Sequence, residues 1–343
     1  MPDAAADAPA PDPWLVVGRR GRARPVAAHR SVQHAVPLDA VTDADGQAPP
    51  PAPRAGPTRL PTDPAARLSA GVAAAEAAIL ASGWWTGLVR AMRAAVAAYE
   101  AGGSEDGGEG GGGGGSPSFA WARVGGVALL GLGSLEGATT PTPRAQAALA
   151  CLLARHLASL GDCGGVSGDQ RARPLRLVCA DPAFTPADTA ALAATGFEAL
   201  SPDAAVAALA AGITPATPWL AYLPHCPSSV MEGVLAAVGP AGHTSHLALL
   251  GNALSEVANR WACSLPNGRG GLAATDSHGC SRPGLALGLV EAGRVVEVGL
   301  AAVGGGGGGE AKRHAAAFDS TALHLFLPPP AGGGASHIDT DTN

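Results

Sequence analysis

The chain has 343 residues, six cysteines, only 4% aromatics and a formal net charge of −6. An acidic chain lacks the basic field that a general nucleic-acid surface needs. The cysteines form no C-x-x-C pair, which points to reduced thiols of a cytosolic or nuclear protein rather than a disulfide framework. No apolar run approaches the ~20 residues of a membrane span. The N-terminus carries Asp3, Asp7 and Asp12 and lacks the basic-then-apolar order of a secretory signal. The expectation is a soluble protein of the cytoplasm and the nucleus, without a membrane partner.

Much of the chain is unsuited to packing. Residues 1–13 and 40–64 are rich in Ala, Pro and Asp, 102–116 is nearly all Gly with acids, and 304–309 is a Gly run. Lys312 is the only lysine among 22 basic residues, a skew that a GC-rich coding sequence produces, so the Gly tracts are read as linkers. The expected organisation is a mostly disordered segment (1–64) with a short basic signature, a helical segment (65–101), and a Gly-rich linker (102–116). A folded domain (117–327) and a disordered tail (328–343) follow. That domain gives a core of about 200 residues, enough for a buried sheet.

In chain order, Trp14 to Val17 reads as a short edge strand, followed by Arg19, Arg20, Arg22 and Arg24. Such a short basic run is a solvated arm more often than an import signal. Residues 65–100 read as Ala-rich helix broken near Ser82-Gly83, with an apolar stripe at Leu80, Trp84, Leu88 and Met92 that needs a partner surface. Val127 to Leu130 is a buried-strand pattern ending in Gly131-Leu132-Gly133-Ser134. A helix from about Pro143 to Leu160 comes next, then a strand from Leu175 to Cys179 ending at Asp181-Pro182. Thr185, Pro186 and Asp188 mark a helix start, and Gly196 its end. A helix at about 203–211 leads to a strand–helix–strand crossover: Trp219 to Leu223, Ser228 to Val238, His246 to Leu250. A helix is expected from Ala253 to Trp261, and the remaining tail (Leu285 to Leu300) suggests one or two strands around Val295 to Val298. A last strand is expected from Leu323 to Leu327. This alternation is the signature of an α/β fold, a three-layer Rossmann-like, mostly parallel sheet with N-terminal helices and disordered Gly/Pro-rich insertions.

Parallel strands align their C-terminal ends on one edge, where α/β folds hold ligands. The candidate ligand-binding residues are therefore Gly131, Gly133, Ser134, Asp181, His225, Cys226 and Asn252. The glycine turn before a helix is a possible anion cradle, and Asp181 sits where such folds place an acid against ribose hydroxyls. Its distance from Gly133 is, however, far above the usual ~20 residues, so a tight turn with a helix-capping Asp-Pro is the favoured reading. Cys226 as a nucleophile needs a base. His225 is badly placed, since adjacent residues in extended chain point opposite ways, leaving His243, His246 or His278. A buried structural thiol is the default. Zinc would draw on Cys226, Cys263, Cys280, His225 or His278, but no strong spacing appears and no metal is assigned. Asn252 is most simply the N-cap of the helix after it. No cofactor is assigned.

Several of these pieces together resemble one family. GVALLGLGS (126–134) with Arg144-Ala145-Gln146, DPAFTPADTAAL (181–192) with Gly196, YLPHCP (222–227) with LLGN (249–252), and AFDSTALHLF (317–326) are similar in order and spacing to the sensitivity-to-red-light-reduced (SRR-like) family. WLVVGRRGRAR (14–24) matches its N-terminal signature. Departures are Ser134 and Ala253, where asparagine and serine are usual, and Ser201-Pro202-Asp203-Ala204 in place of an acidic patch. The resemblance implies an intracellular regulator in circadian clock input or red-light signalling, with haem metabolism tied to relatives outside plants. It implies protein partners and no established enzymatic activity. The alternative is a nucleotide- or S-adenosylmethionine-binding enzyme using the sheet's C-terminal edge.

Overall fold

The computed structural model describes residues 62–102, 119–136, 142–163, 174–224, 226–264, 283–300, 318 and 320–328. The expected strand at 14–17, the arginine arm, most of both Gly tracts, His225, His278 and Cys280 lie outside them, as does the side chain of Cys263.

Helix α1 (Pro64–Ala81) begins at Asp63, whose carboxylate accepts from the amides of Ala65 and Ala66 at 3.2 Å each. The expected break falls at Ser82-Gly83. Ser82 Oγ donates to the Ile79 carbonyl and accepts from the Trp84 amide, and Gly83 takes a φ of +73°. Helix α2 (Trp84–Gly102) then starts. Trp84, Leu88 and Met92 are buried, and Trp84 stacks on Phe318 with ring centroids 4.6 Å apart. Leu80 does not share that face and is 50% exposed, with Ile79 buried instead. The break explains this, because it resets the helical phase between Leu80 and Trp84. By length and mean hydropathy (1.2) α1 resembles a membrane span, but its buried Leu68, Val72 and Ile79 join the core and it packs on helices α3 (Thr142–Cys163) and α4 (Pro186–Ala193).

Seven described strands form one sheet: β1 (Gly126–Leu130), β2 (Arg176–Ala180), β3 (Glu198–Ala199), β4 (Trp219–Leu223), β5 (Leu247–Asn252), β6 (Val295–Gly299) and β7 (Thr321–Phe326), in the order β3-β2-β1-β4-β5-β7-β6. Pairs β1–β2, β1–β4, β2–β3 and β4–β5 are parallel, while β7 runs antiparallel to both β5 and β6. The expectation of a mostly parallel sheet is thus corrected to a mixed one. An apolar run such as Leu323 to Leu327 has the same pattern whichever way it points, so direction is invisible in it. Strands β1 and β4 are buried along their whole length, as strands covered on both faces must be.

The remaining helices are α5 (Pro202–Gly212), α6 (Ser228–Val238), α7 (Leu254–Ser264) and α8 (Gly284–Glu291). Strand β3 is two residues long, too short to show a period. Helix α8 also departs from expectation: its first amides, Leu285 and Ala286, donate to the Glu232 carboxylate of α6 at 2.9 and 2.8 Å. That cap from another element satisfies donors an isolated stretch with two glycines would leave open.

Candidate functional site

Strand order reverses between β1 and β4: β2 and β3 extend to one side, β5 to the other. In open α/β sheets the crevice for ligands lies at such a switch point, beyond the C-terminal strand ends. Gly131 to Ser134 follow β1, Asp181 follows β2, Cys226 follows β4 and Asn252 ends β5. Every described candidate therefore sits at this one edge.

The glycine turn is held by the protein's own acids. The Gly133 amide donates to Asp181 Oδ2 at 2.7 Å, and the Ala183 amide to Asp181 Oδ1 at 2.7 Å. The Leu135 amide donates to Asp188 Oδ1 at 3.0 Å, and Ser134 Oγ donates to Asp188 Oδ2 at 2.8 Å. Asp188 is fully buried and closes a capping box with Thr185 at the start of α4. Asp181 thus closes the turn, while Thr185 caps the helix. Charge-assisted bonds of this kind are each worth about 1.5–3 kcal/mol. The donors that would cradle a phosphate are occupied by carboxylates, and their charge opposes an incoming anion.

Gly131 and Cys226 are in direct approach. Gly131 adopts a φ of +71°, and a Cβ there would stand 2.2 Å from Cys226 Sγ. The thiol donates to the Leu130 carbonyl at 3.1 Å and is buried. Burial pushes its pKa strongly up, and the negative charge of Asp181 pushes it further. A nucleophilic thiolate requires the opposite surroundings. His243 and His246 form a 3-10 turn that enters β5 from its N-terminal end, the far edge of the sheet from Cys226, so neither serves it as a base.

Asn252 is not the expected N-cap. Its Nδ2 donates to the Cys226 carbonyl at 2.9 Å, tying the end of β5 to the turn after β4. The first turn of α7 is held instead from the far side: Leu254 N lies 3.3 Å from His324 Nε2, and Ser255 N and Oγ both donate to the Glu297 carboxylate. Sequence reading passed over His324, Glu297 and Ser255. A glutamate in the otherwise apolar Val295–Gly299 run was the available signal. Between Leu223, Cys226, Met231, Leu249, Asn252 and Val257 there remains a cavity of about 10 Å³, room for about one water molecule.

A family model described as the SRR1 domain matches residues 107–325. The chain belongs to the SRR1 domain family. The match spans the whole sheet but for the last residue of β7, and so takes in the glycine turn, the Asp-Pro segment, the Pro-His-Cys-Pro turn and the Gly-Asn strand end. Comparison with curated proteins and with solved structures gives no match. The SRR1 domain here thus uses its signature residues in contacts with one another: Gly131 with Cys226, Gly133 with Asp181, and Asn252 with Cys226.

Proposed function

We propose that this SRR1-domain chain is an intracellular regulatory protein of the cytoplasm and nucleus, acting through protein partners in circadian clock input or red-light signalling. The observation that carries the non-catalytic part is the internal use of the edge: Gly133, Ser134 and Leu135 spend their donors on Asp181 and Asp188. The pathway rests on family membership, and a link to haem metabolism rests on the same ground. Removing the chain from its own cells tests this: the period, phase or red-light response of rhythmic gene expression should change. Unaltered rhythms and light responses would remove the pathway assignment.

The second reading, a nucleotide- or S-adenosylmethionine-binding enzyme, is favoured by one observation, the convergence of the described candidates at the switch point. It would require the carboxylates to leave the turn, since the cavity present is far below the ~300 Å³ of a small-molecule pocket. The grouping of α1 with α3 and α4, and of α6 with α5 and α8, supports a three-layer, Rossmann-like reading of the domain. The chemistry of either function is assigned to no particular cofactor.

A further inference from the structure

His324 is fully buried on β7, registered opposite Leu249 on β5 and Glu297 on β6. Its Nδ1 lies 3.1 Å from the Leu249 carbonyl. A carbonyl only accepts, so this nitrogen carries a hydrogen. Its Nε2 has two neighbours with opposite requirements. Glu297 Oε2, 3.1 Å away, needs a hydrogen on Nε2; the Leu254 amide, 3.3 Å away, needs the lone pair. One ring nitrogen satisfies one of them at a time.

We propose that His324 is a proton-dependent selector between β6 and the first turn of α7. As an imidazolium it donates from Nε2 to Glu297 and leaves the Leu254 amide without its acceptor. As a neutral ring it accepts from Leu254 and turns a lone pair toward the carboxylate, which among the described residues keeps its bonds from Ser255. Falling pH thus tightens β6 on β7, and rising pH tightens α7 on β7. Among the described residues, Glu297 is the charged group facing the ring. The other charged side chains described nearby lie elsewhere: Glu256 and Glu291 are exposed, and Arg294 donates to the Leu327 carbonyl. The Glu297 pKa is pushed up by burial and pulled down overall by its contacts with His324 and Ser255, in keeping with a carboxylate facing a cation. The device reaches the sheet edge because α7 carries Val257, one wall of the small cavity beside Cys226 and Asn252.

The test is solution NMR of the full chain labelled with 15N at histidine and leucine, from about pH 5 to about pH 9. The selector predicts that the Leu254 amide resonance moves with the same midpoint as the loss of the hydrogen from His324 Nε2. Glu297→Gln should weaken proton binding by His324 at least tenfold, moving both midpoints together to lower pH. A Leu254 amide that stays still while His324 titrates would overturn the proposal. So would a ring that keeps one protonation state throughout. If Glu297→Gln does not fold, the wild-type comparison of the two midpoints decides alone.

Discussion

The backbone amide of Gly133 donates to the carboxylate of Asp181 across 2.7 Å, so a turn of anion-binding shape is closed by an acid from the neighbouring strand. Asp188 repeats the arrangement one step along, holding Ser134 and Leu135 while it caps α4. Asp181→Ala should lower stability by about 1–3 kcal/mol, the cost of orphaning donors to a charged acceptor. Asp188→Ala should cost more, about 3 kcal/mol or above, because the fully buried acid satisfies more donors. Urea unfolding of the two variants gives the ranking; an equal or reversed order would contradict it.

Gly131→Ala should be strongly destabilising, by about 2–4 kcal/mol, combining left-handed backbone with collision against Cys226. The collision part is removable. In a Gly131→Ala, Cys226→Ala double variant, the two changes should be non-additive, with part of the loss recovered. Additive losses would place the strain elsewhere.

Cys226 should resist alkylation. Its buried thiol is held by Leu130 and disfavours ionisation, so iodoacetamide at mildly alkaline pH should modify it only when the chain is unfolded. Peptide mass spectrometry reads this directly. Rapid native labelling would show an accessible thiolate.

Much of this architecture was legible in the residues. The crossover of β4, α6 and β5, the break at Ser82-Gly83 and the Thr185 helix start follow from local patterns that tertiary contacts leave intact. What escaped depended on distant partners. Helix α8 relies on Glu232 from another helix, and α7 is capped by His324 and Glu297 rather than by Asn252. The reversed direction of β7 has no local mark. The strand ends named in the sequence do bring the described candidates to one edge, but which of them bond to each other is a fact of side-chain geometry that spacing does not carry.

Trp84→Ala should cost about 3–5 kcal/mol, as loss of a fully buried ring does. Its stacking on Phe318 makes a Phe318→Ala double variant non-additive as well. Thermal or urea unfolding measures both. A neutral Trp84→Ala would mean that α2 contributes nothing to the core.

Acid should remove the Glu297 contribution. Burial raises this carboxyl's pKa, but His324 and Ser255 outweigh burial and bring it from 4.5 to about 2. A lowered folded value stabilises above the unfolded pKa and is lost as pH falls toward the folded one. The window is therefore roughly pH 4.5 to 2, and the amount about 3 kcal/mol. Urea unfolding at both ends should show a smaller acid loss in Glu297→Gln than in the wild type; equal losses would exclude Glu297 as a source.

The most direct test of a self-occupied sheet edge is a thermal-shift panel on the full chain with inorganic phosphate, nucleotides, S-adenosylmethionine, haem and divalent metals. A site ligand at a hundred times its Kd would add about 2.7 kcal/mol of stability. The account predicts no stabilisation by phosphate, nucleotides or S-adenosylmethionine. A nucleotide or S-adenosylmethionine shift that disappears in Cys226→Ala or Asn252→Ala would contradict it and make the edge a working binding site.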